Sequence, residues 1–179
     1  MVHGKNLIGG HCGMNFMVES ERLLIRPFKI ADTEEYYQMT RDPLVRKYVP
    51  FACEETIEET YNTIDMFYSN GDCIHDFYLV LEEKETHKLV GAIIATAIKT
   101  TPLTLEVDIL TDSNFRRKGF MFEALTAFIN AIPKSTEFIF VVDKKNKASK
   151  NTVTKLPGIV EKPFTGTMGS GLYQFSLTT

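Results

Sequence analysis

The stretch Leu110-Thr-Asp-Ser-Asn-Phe-Arg-Arg-Lys-Gly-Phe-Met-Phe-Glu-Ala-Leu125 decides how this chain is read. It begins at the end of an apolar run, Leu103 to Leu110, which reads as a strand after the break at Pro102. It ends in a helix, Gly119 to Ala131, with Met121, Leu125, Phe128 and Ile132 at helical spacing on one face. A short polar loop joins the two. A helix N-terminus exposes unpaired N–H groups and the positive end of its dipole, so strand, loop and helix together make an anion site. Gly119 lets the backbone approach a ligand closely. Arg116, Arg117 and Lys118 add positive charge where a diphosphate would lie. Taken alone, Arg-Arg-Lys-Gly is better read as a solvated basic turn before an ordinary helix; its neighbours in the chain reverse that judgement.

Outward from this segment, strand and helix signals alternate. Arg22 to Arg26 reads as a first strand, closed by Pro27. Asp32-Thr-Glu-Glu35 has the form of a helix start, the helix running to about Thr40, where Asp42-Pro43 breaks it. Thr56-Ile-Glu-Glu59 is a capping box, and Ile57, Tyr61, Ile64 and Tyr68 give the helix after it an apolar face that Asn70-Gly71 ends. Phe77 to Leu81 and Leu89 to Ile98 are expected to form an antiparallel hairpin across the polar turn Glu82 to Lys88. Phe138 to Val142 is a continuous apolar run, expected to be buried on both faces. Lys147 to Leu156 is a short helix ended by Pro157-Gly158. Strands near Ile159 to Phe164 and Leu172 to Leu177 follow, joined by a Gly-rich turn at Gly166 to Gly171. The expectation is an α/β domain with a mixed, mostly antiparallel central sheet of about seven strands and helices on both faces. It should span residues 20–179. Residues 1–19, with Gly4, Gly9, Gly10 and Gly13 and no periodicity, read as a flexible leader, Met14 or Met17 being alternative starts.

Composition narrows the function classes. A chain of 179 residues with 44% hydrophobic and 24% charged content suffices for one domain with its own core. A net charge of −3 gives no reason to expect nucleic-acid binding. No apolar run is long enough to span a bilayer, and no signal-peptide pattern opens the chain, so neither membrane association nor secretion is expected. Three widely spaced cysteines (Cys12, Cys53, Cys73) argue against a disulfide framework and for a reducing, cytoplasmic setting. The four histidines show no ligand spacing, and no metal is expected.

The quoted segment resembles the acetyl-CoA-binding motif of the GNAT superfamily of N-acetyltransferases, (Gln/Arg)-x-x-Gly-x-(Gly/Ala), here Arg116-x-x-Gly119-x-Met121, with Met121 in place of the small residue. Gly119-Phe-Met-Phe-Glu-Ala-Leu125 is similar to the Gly-x-Met-x-Glu-Ala-Leu helix of the ribosomal-protein N-terminal acetyltransferase branch (RimJ/RimL-like). Glu21-Arg-Leu-Leu-Ile-Arg-Pro27 resembles that branch's opening strand, and Asn146-Lys-Ala-Ser149 its second CoA-side motif. The matches run in order from about Glu21 to Leu177. Two departures stand out. Lys155-Leu-Pro-Gly-Ile159 is one residue longer than the usual helix end, and Val153 occupies the position where many relatives carry a tyrosine acid.

The resemblance implies the GNAT-like acyl-CoA N-acyltransferase fold and direct attack of a primary amine on acetyl-CoA in a ternary complex. The amine would be a protein N-terminus or a small molecule. The backbone of Ile109, Leu110 and Thr111 would pair with the pantetheine arm like an added strand, the Leu110 N–H serving as oxyanion donor. Arg116, Arg117, Lys118, Gly119, Phe120 and Met121 would hold the diphosphate, with Asn146 and Ser149 on the pantetheine side. The sheet should splay between the strands ending at Leu110 and Val142. Glu106 is the expected base, with Asp108 of the same parity beside it. Tyr48, Phe51 and Tyr173 are candidates for the acceptor side. The runner-up is a catalytically weak or inactive CoA-binding module of the same fold; the third reading is an unrelated anion-binding α/β domain. The oligomeric expectation is a monomer or homodimer.

Overall fold

The computed structural model describes residues 16–69, 75–164 and 171–179. Eight strands form one sheet: β1 (Val18–Glu19), β2 (Leu23–Pro27), β3 (Phe77–Glu83), β4 (Leu89–Thr100), β5 (Leu103–Thr111), β6 (Glu137–Asp143), β7 (Val160–Lys162) and β8 (Leu172–Thr178). Their spatial order is β1-β2-β3-β4-β5-β6-β8-β7. Every pairing is antiparallel except β5 with β6, the two strands joined through a helix. A parallel pair needs such a crossover. The expected mixed α/β architecture is therefore present, with one strand more than expected.

Among the described residues five α-helices cover the faces: α1 (Thr33–Thr40), α2 (Pro43–Tyr48), α3 (Ile57–Ser69), α4 (Phe120–Ala131) and α5 (Lys147–Val153). The core divides accordingly. Leu105, Val107, Phe138, Phe140 and Val142 meet Leu125 and Phe128 of α4 and Val153 of α5 on one face. On the other, Val80, Ala92, Ile94 and Leu110 meet Tyr36 and Met39 of α1, Val45 of α2 and Ile64 of α3. Beside this second core, the buried Arg26 guanidinium is held by Asp32 (2.8 Å) and Glu82 (2.7 Å).

Several expectations change in detail. The boundary at residue 19 moves: Phe16 is buried edge-on against Phe77 and Phe128, and β1 pairs with β2, so residues 16–19 are built into the fold. Residues 1–15, Asn70-Gly71 and most of the Gly166–Gly171 turn lie outside the described residues. Asp42-Pro43 ends α1 but also starts α2, because the Asp42 carboxylate accepts from the Leu44 and Val45 N–H groups and Pro43 fills the first helical position. On α3 the buried stripe is Thr60 and Ile64, with Phe67 half-buried, while Ile57, Tyr61 and Tyr68 are exposed. Thr60 can face inward because its hydroxyl donates to the Thr56 carbonyl (3.0 Å), and Phe67 stacks on Tyr78 at 4.2 Å. Strand β6 alternates: Phe138, Phe140 and Val142 are buried, Ile139 and Val141 only half so.

Candidate active site

Strands β5 and β6 pair only at their beginnings, Thr104 with Glu137, Leu105 with Phe138 and Glu106 with Ile139. Beyond Glu106 they part. The wedge is a cleft lined by Val107, Asp108 and Ile109 of β5, Phe140 to Asp143 of β6, Asn146 and Ser149 at the start of α5, and Tyr48 and Val49 at the end of α2. The expected splay is thus present, and Ile109, Asn146 and Ser149 share its walls with Tyr48.

Ladder alternation decides which β5 amides face the gap. The Asp112 N–H donates to the Val90 carbonyl (3.0 Å), and the same register sets Leu110 opposite Ala92. Bonded and non-bonded positions alternate along an antiparallel pair. Leu110 therefore spends its N–H and C=O on β4, while Ile109 and Thr111 turn theirs toward the parted edge. The expectation of a donor at Leu110 is corrected on this ground.

At the end of β5, Asp112 accepts from the Asn114 N–H and starts a single 3-10 turn, Ser113–Phe115. The chain then reaches α4 through two left-handed residues, Arg117 (φ 62°) and Gly119 (φ 83°). Successive N–H groups in such a turn make an anion-binding concavity, and it opens here onto the N-terminus of α4. The Phe120 and Met121 side chains are buried, so those residues offer only backbone to a ligand. Met121 replaces the motif's small residue without crowding because it fills space at Gly91: a Cβ there would lie 3.3 Å from the Met121 methyl and 2.4 Å from the Leu110 carbonyl oxygen. The loop is braced from the residue just before β2. Arg22 Nη1 donates to the Lys118 carbonyl (3.0 Å), Arg22 Nε donates to Glu123 (2.7 Å), and the guanidinium covers the Phe120 ring at 4.2 Å.

Asp108 lines the cleft, and among the described residues no hydrogen bond or ion pair holds its carboxyl. Burial first, and the Glu106 charge second, push its pKa up to about 6. Glu106 lies on the same strand face, two residues back, but outside the cleft lining. Perturbed carboxyls in clefts are candidate functional groups. Sequence reasoning placed Asp108 beside Glu106 by parity but had no signal for which of the two lines the cleft. Val153 is fully buried in the core and offers no acid. Phe51 is exposed and, like Tyr173, lies outside the cleft lining; Tyr173 instead sits under the Lys150 ammonium at 3.6 Å. Asn146 Oδ1 is engaged in capping α5 through the Ser149 N–H (3.1 Å), leaving its Nδ2. Burial raises the Cys53 thiol, which suits no nucleophile.

Comparison with known proteins agrees with the fold. The family profile described as acetyltransferase (GNAT) domain matches residues 22–157. No curated protein sequence matches significantly. Among solved structures, a GNAT-family acetyltransferase from Bacillus anthracis is 21% identical over 91% of this chain and 98% of that one, with a TM-score of 0.76. The ribosomal-protein-S5-alanine acetyltransferase from Vibrio fischeri is 18% identical over 92% and 97%, with a TM-score of 0.69. The ribosomal L7/L12 alpha-N-protein acetyltransferase RimL, in complex with coenzyme A, is 14% identical over 91% and 98%, also at 0.69.

Proposed function

Because the chain belongs to the acetyltransferase (GNAT) domain family, we propose that it transfers an acetyl group from acetyl-CoA to a primary amine, by direct attack within a ternary complex. The observation that carries this is the parting of β5 from β6 beyond Glu106, with the left-handed loop and the N-terminus of α4 at its end. A pantetheine arm would lie along the free edge of β5, meeting the N–H and C=O groups of Ile109 and Thr111. The N–H groups from Arg117 to Met121 would hold the diphosphate, and the Asn146 amide and Ser149 hydroxyl would flank the arm. Bound acetyl-CoA supplies the acetyl group as a thioester. The Ile109 or Thr111 N–H would donate to the thioester carbonyl as negative charge develops there. The amine nitrogen forms the new N–C bond, the C–S bond breaks, and the departing CoA thiolate takes up the proton that the nitrogen sheds as the amide forms, leaving as a thiol.

The amine must lose its proton, and Asp108, lining the cleft, is the proposed acceptor of it, with Glu106 setting its charge environment. An α-ammonium has a pKa near ~8 and a lysine near ~10.4, so passing a proton to the same carboxylate costs about 3 kcal/mol more from lysine. This supports an α-amine, such as a protein N-terminus, or a small amine of low pKa over a lysine side chain.

Two measurements test the proposal. Acetyl-CoA should raise the melting temperature, as any ligand of the folded state does, and a panel of N-terminal peptides, aminoglycosides and small amines should release free CoA thiol with at least one member. Binding without thiol release across the panel would favour a CoA-holding module, a reading that the apolar Val153 keeps in view. No binding would remove both.

A further inference from the structure

Three consecutive cations precede Gly119, and the structure sends them to different places. Arg117 is exposed at the left-handed turn. The Lys118 ammonium lies 4.9 Å over the Phe115 ring at the loop surface. The Arg116 side chain reaches across to α2, where Nη2 donates to Asp42 Oδ1 at 2.8 Å. This pair is shielded, the two side chains being 27% and 18% exposed. The Arg116 guanidinium also holds the Asp42 carboxyl below the usual carboxylate range.

Asp42 is the N-cap of α2, and the same Oδ1 accepts from the Leu44 N–H (2.8 Å) and the Val45 N–H (3.3 Å). Helix α2 has only six residues, and Val45 is its buried anchor. A helix this short has little stability of its own and depends on its cap and its packing. Its far end delivers Tyr48 and then Val49 to the cleft, across from Asp108. One shielded ion pair thus connects the loop at the donor end of the cleft to the helix that walls its other side.

We propose that Arg116 is a positioning residue for the acceptor wall: its guanidinium is committed to Asp42 and fixes α2, with Tyr48 and Val49, rather than binding the diphosphate. This rests on the transferase reading of the cleft. It divides the basic run into one cation for the acceptor side and two for the donor side.

The test compares R116Q, R116K, D42N and R117Q, the last as the donor-side control. Hydrogen exchange at the amides of residues 45–49 should quicken in R116Q and D42N by roughly fivefold, the size of a weakened cap, and recover in part in R116K. It should stay at the parental rate in R117Q. By calorimetry, R116Q should bind acetyl-CoA within about twofold of the parent, and R117Q several-fold more weakly. With an amine accepted by the parent, R116Q should raise the amine KM and leave kcat largely intact, a split that general loosening of the fold would not give. The proposal is overturned if R116Q weakens acetyl-CoA as much as R117Q does while exchange in α2 is unmoved. It is equally overturned if kcat falls with the amine KM unchanged. If the parent itself binds no acetyl-CoA, the transferase reading fails, and the exchange comparison still decides whether Arg116 holds α2.

Discussion

Replacing Asp108 by Asn should make the protein more stable and less active, with both effects dependent on pH. The carboxyl is raised to about 6 because burial and the Glu106 charge disfavour its ionised form. The sign is the reverse of the common case of a salt-bridged aspartate. Here the folded state holds the proton more tightly than the unfolded chain does, so ionisation costs stability. The cost is absent below the unfolded value of ~3.9, grows as pH rises toward about 6, and is constant above it. The separation corresponds to about 3 kcal/mol at neutral pH. For a domain of this size each kcal/mol moves the melting temperature by roughly 2–4 °C. Asn keeps the shape and carries no charge, so Asp108→Asn should melt about 6–12 °C higher at pH 8 and close to the parent near pH 4.

Turnover should move the opposite way. Loss of a positioned base costs about a hundredfold to ten-thousandfold. The loss should shrink above the pKa of the amine, where neutral acceptor is plentiful. Thermal melts at pH 4 and 8, with thiol release from pH 5 to 9, make the measurement. A variant that melts with the parent at pH 8, or that keeps the parental pH–rate profile, refutes the assignment of Asp108.

Further outcomes follow from the same geometry. Glu106→Gln removes the second cause of the Asp108 shift, so the acidic limb of the pH–rate profile, expected near pH 6 in the parent, should move to lower pH while acetyl-CoA binding holds; an unmoved limb makes Glu106 a bystander. Gly119→Ala should cost about 1 kcal/mol of stability from the left-handed φ alone, since a Cβ there meets nothing closer than Arg22 Nη2 at 3.5 Å; Gly119→Val should in addition weaken acetyl-CoA binding in calorimetry well beyond that cost. Gly91→Ala would press a Cβ to 2.4 Å from the Leu110 carbonyl oxygen and should destabilise by about 1–3 kcal/mol in denaturant melts. Arg26→Met strands Asp32 and Glu82 and should cost about 3–5 kcal/mol; a loss below 1 kcal/mol would mean that the two carboxylates find other partners.

The long elements were legible because their signals are local. The Thr56 capping box, the run Leu89 to Ile98 and the apolar spacing after Gly119 each specify their element without knowledge of the rest of the chain. What escaped was short or depended on partners. Strand β1 has two residues and exists because β2 offers an edge to it. Helix α2 hid behind Asp42-Pro43, a pair that breaks one helix and caps the next with equal facility. The rotation of α3 escaped because hydrophobic spacing counts Thr60 as polar. A threonine whose hydroxyl bonds back to the preceding turn is buried at little cost, so the stripe Ile57, Tyr61 and Tyr68 was free to face solvent.

The two halves of the proposed site differ in the same way. The donor half is made of backbone: a loop, two left-handed residues and a helix N-terminus, all within ten consecutive residues. Its chemistry follows from chain direction and glycine placement, which a sequence displays openly. The choice among Ile109, Leu110 and Thr111 is different, because the edge to which a strand amide points depends on register against β4, fixed here by the bond between Asp112 and Val90. The acceptor half is made of side chains from distant segments, Tyr48 and Val49 from α2 and Asp108 from β5, brought together only where β6 leaves β5. Glu106 and Asp108 share one strand face and carry the same charge, so parity cannot rank them. The ranking follows from where the strands part: Glu106 is the last β5 residue still paired with β6, and Asp108, two residues on, stands in the opening. Moving the divergence by one side-chain repeat would exchange their places, which makes the fork in the sheet, rather than either carboxylate's identity, the determinant of which one would meet the amine in the proposed reaction.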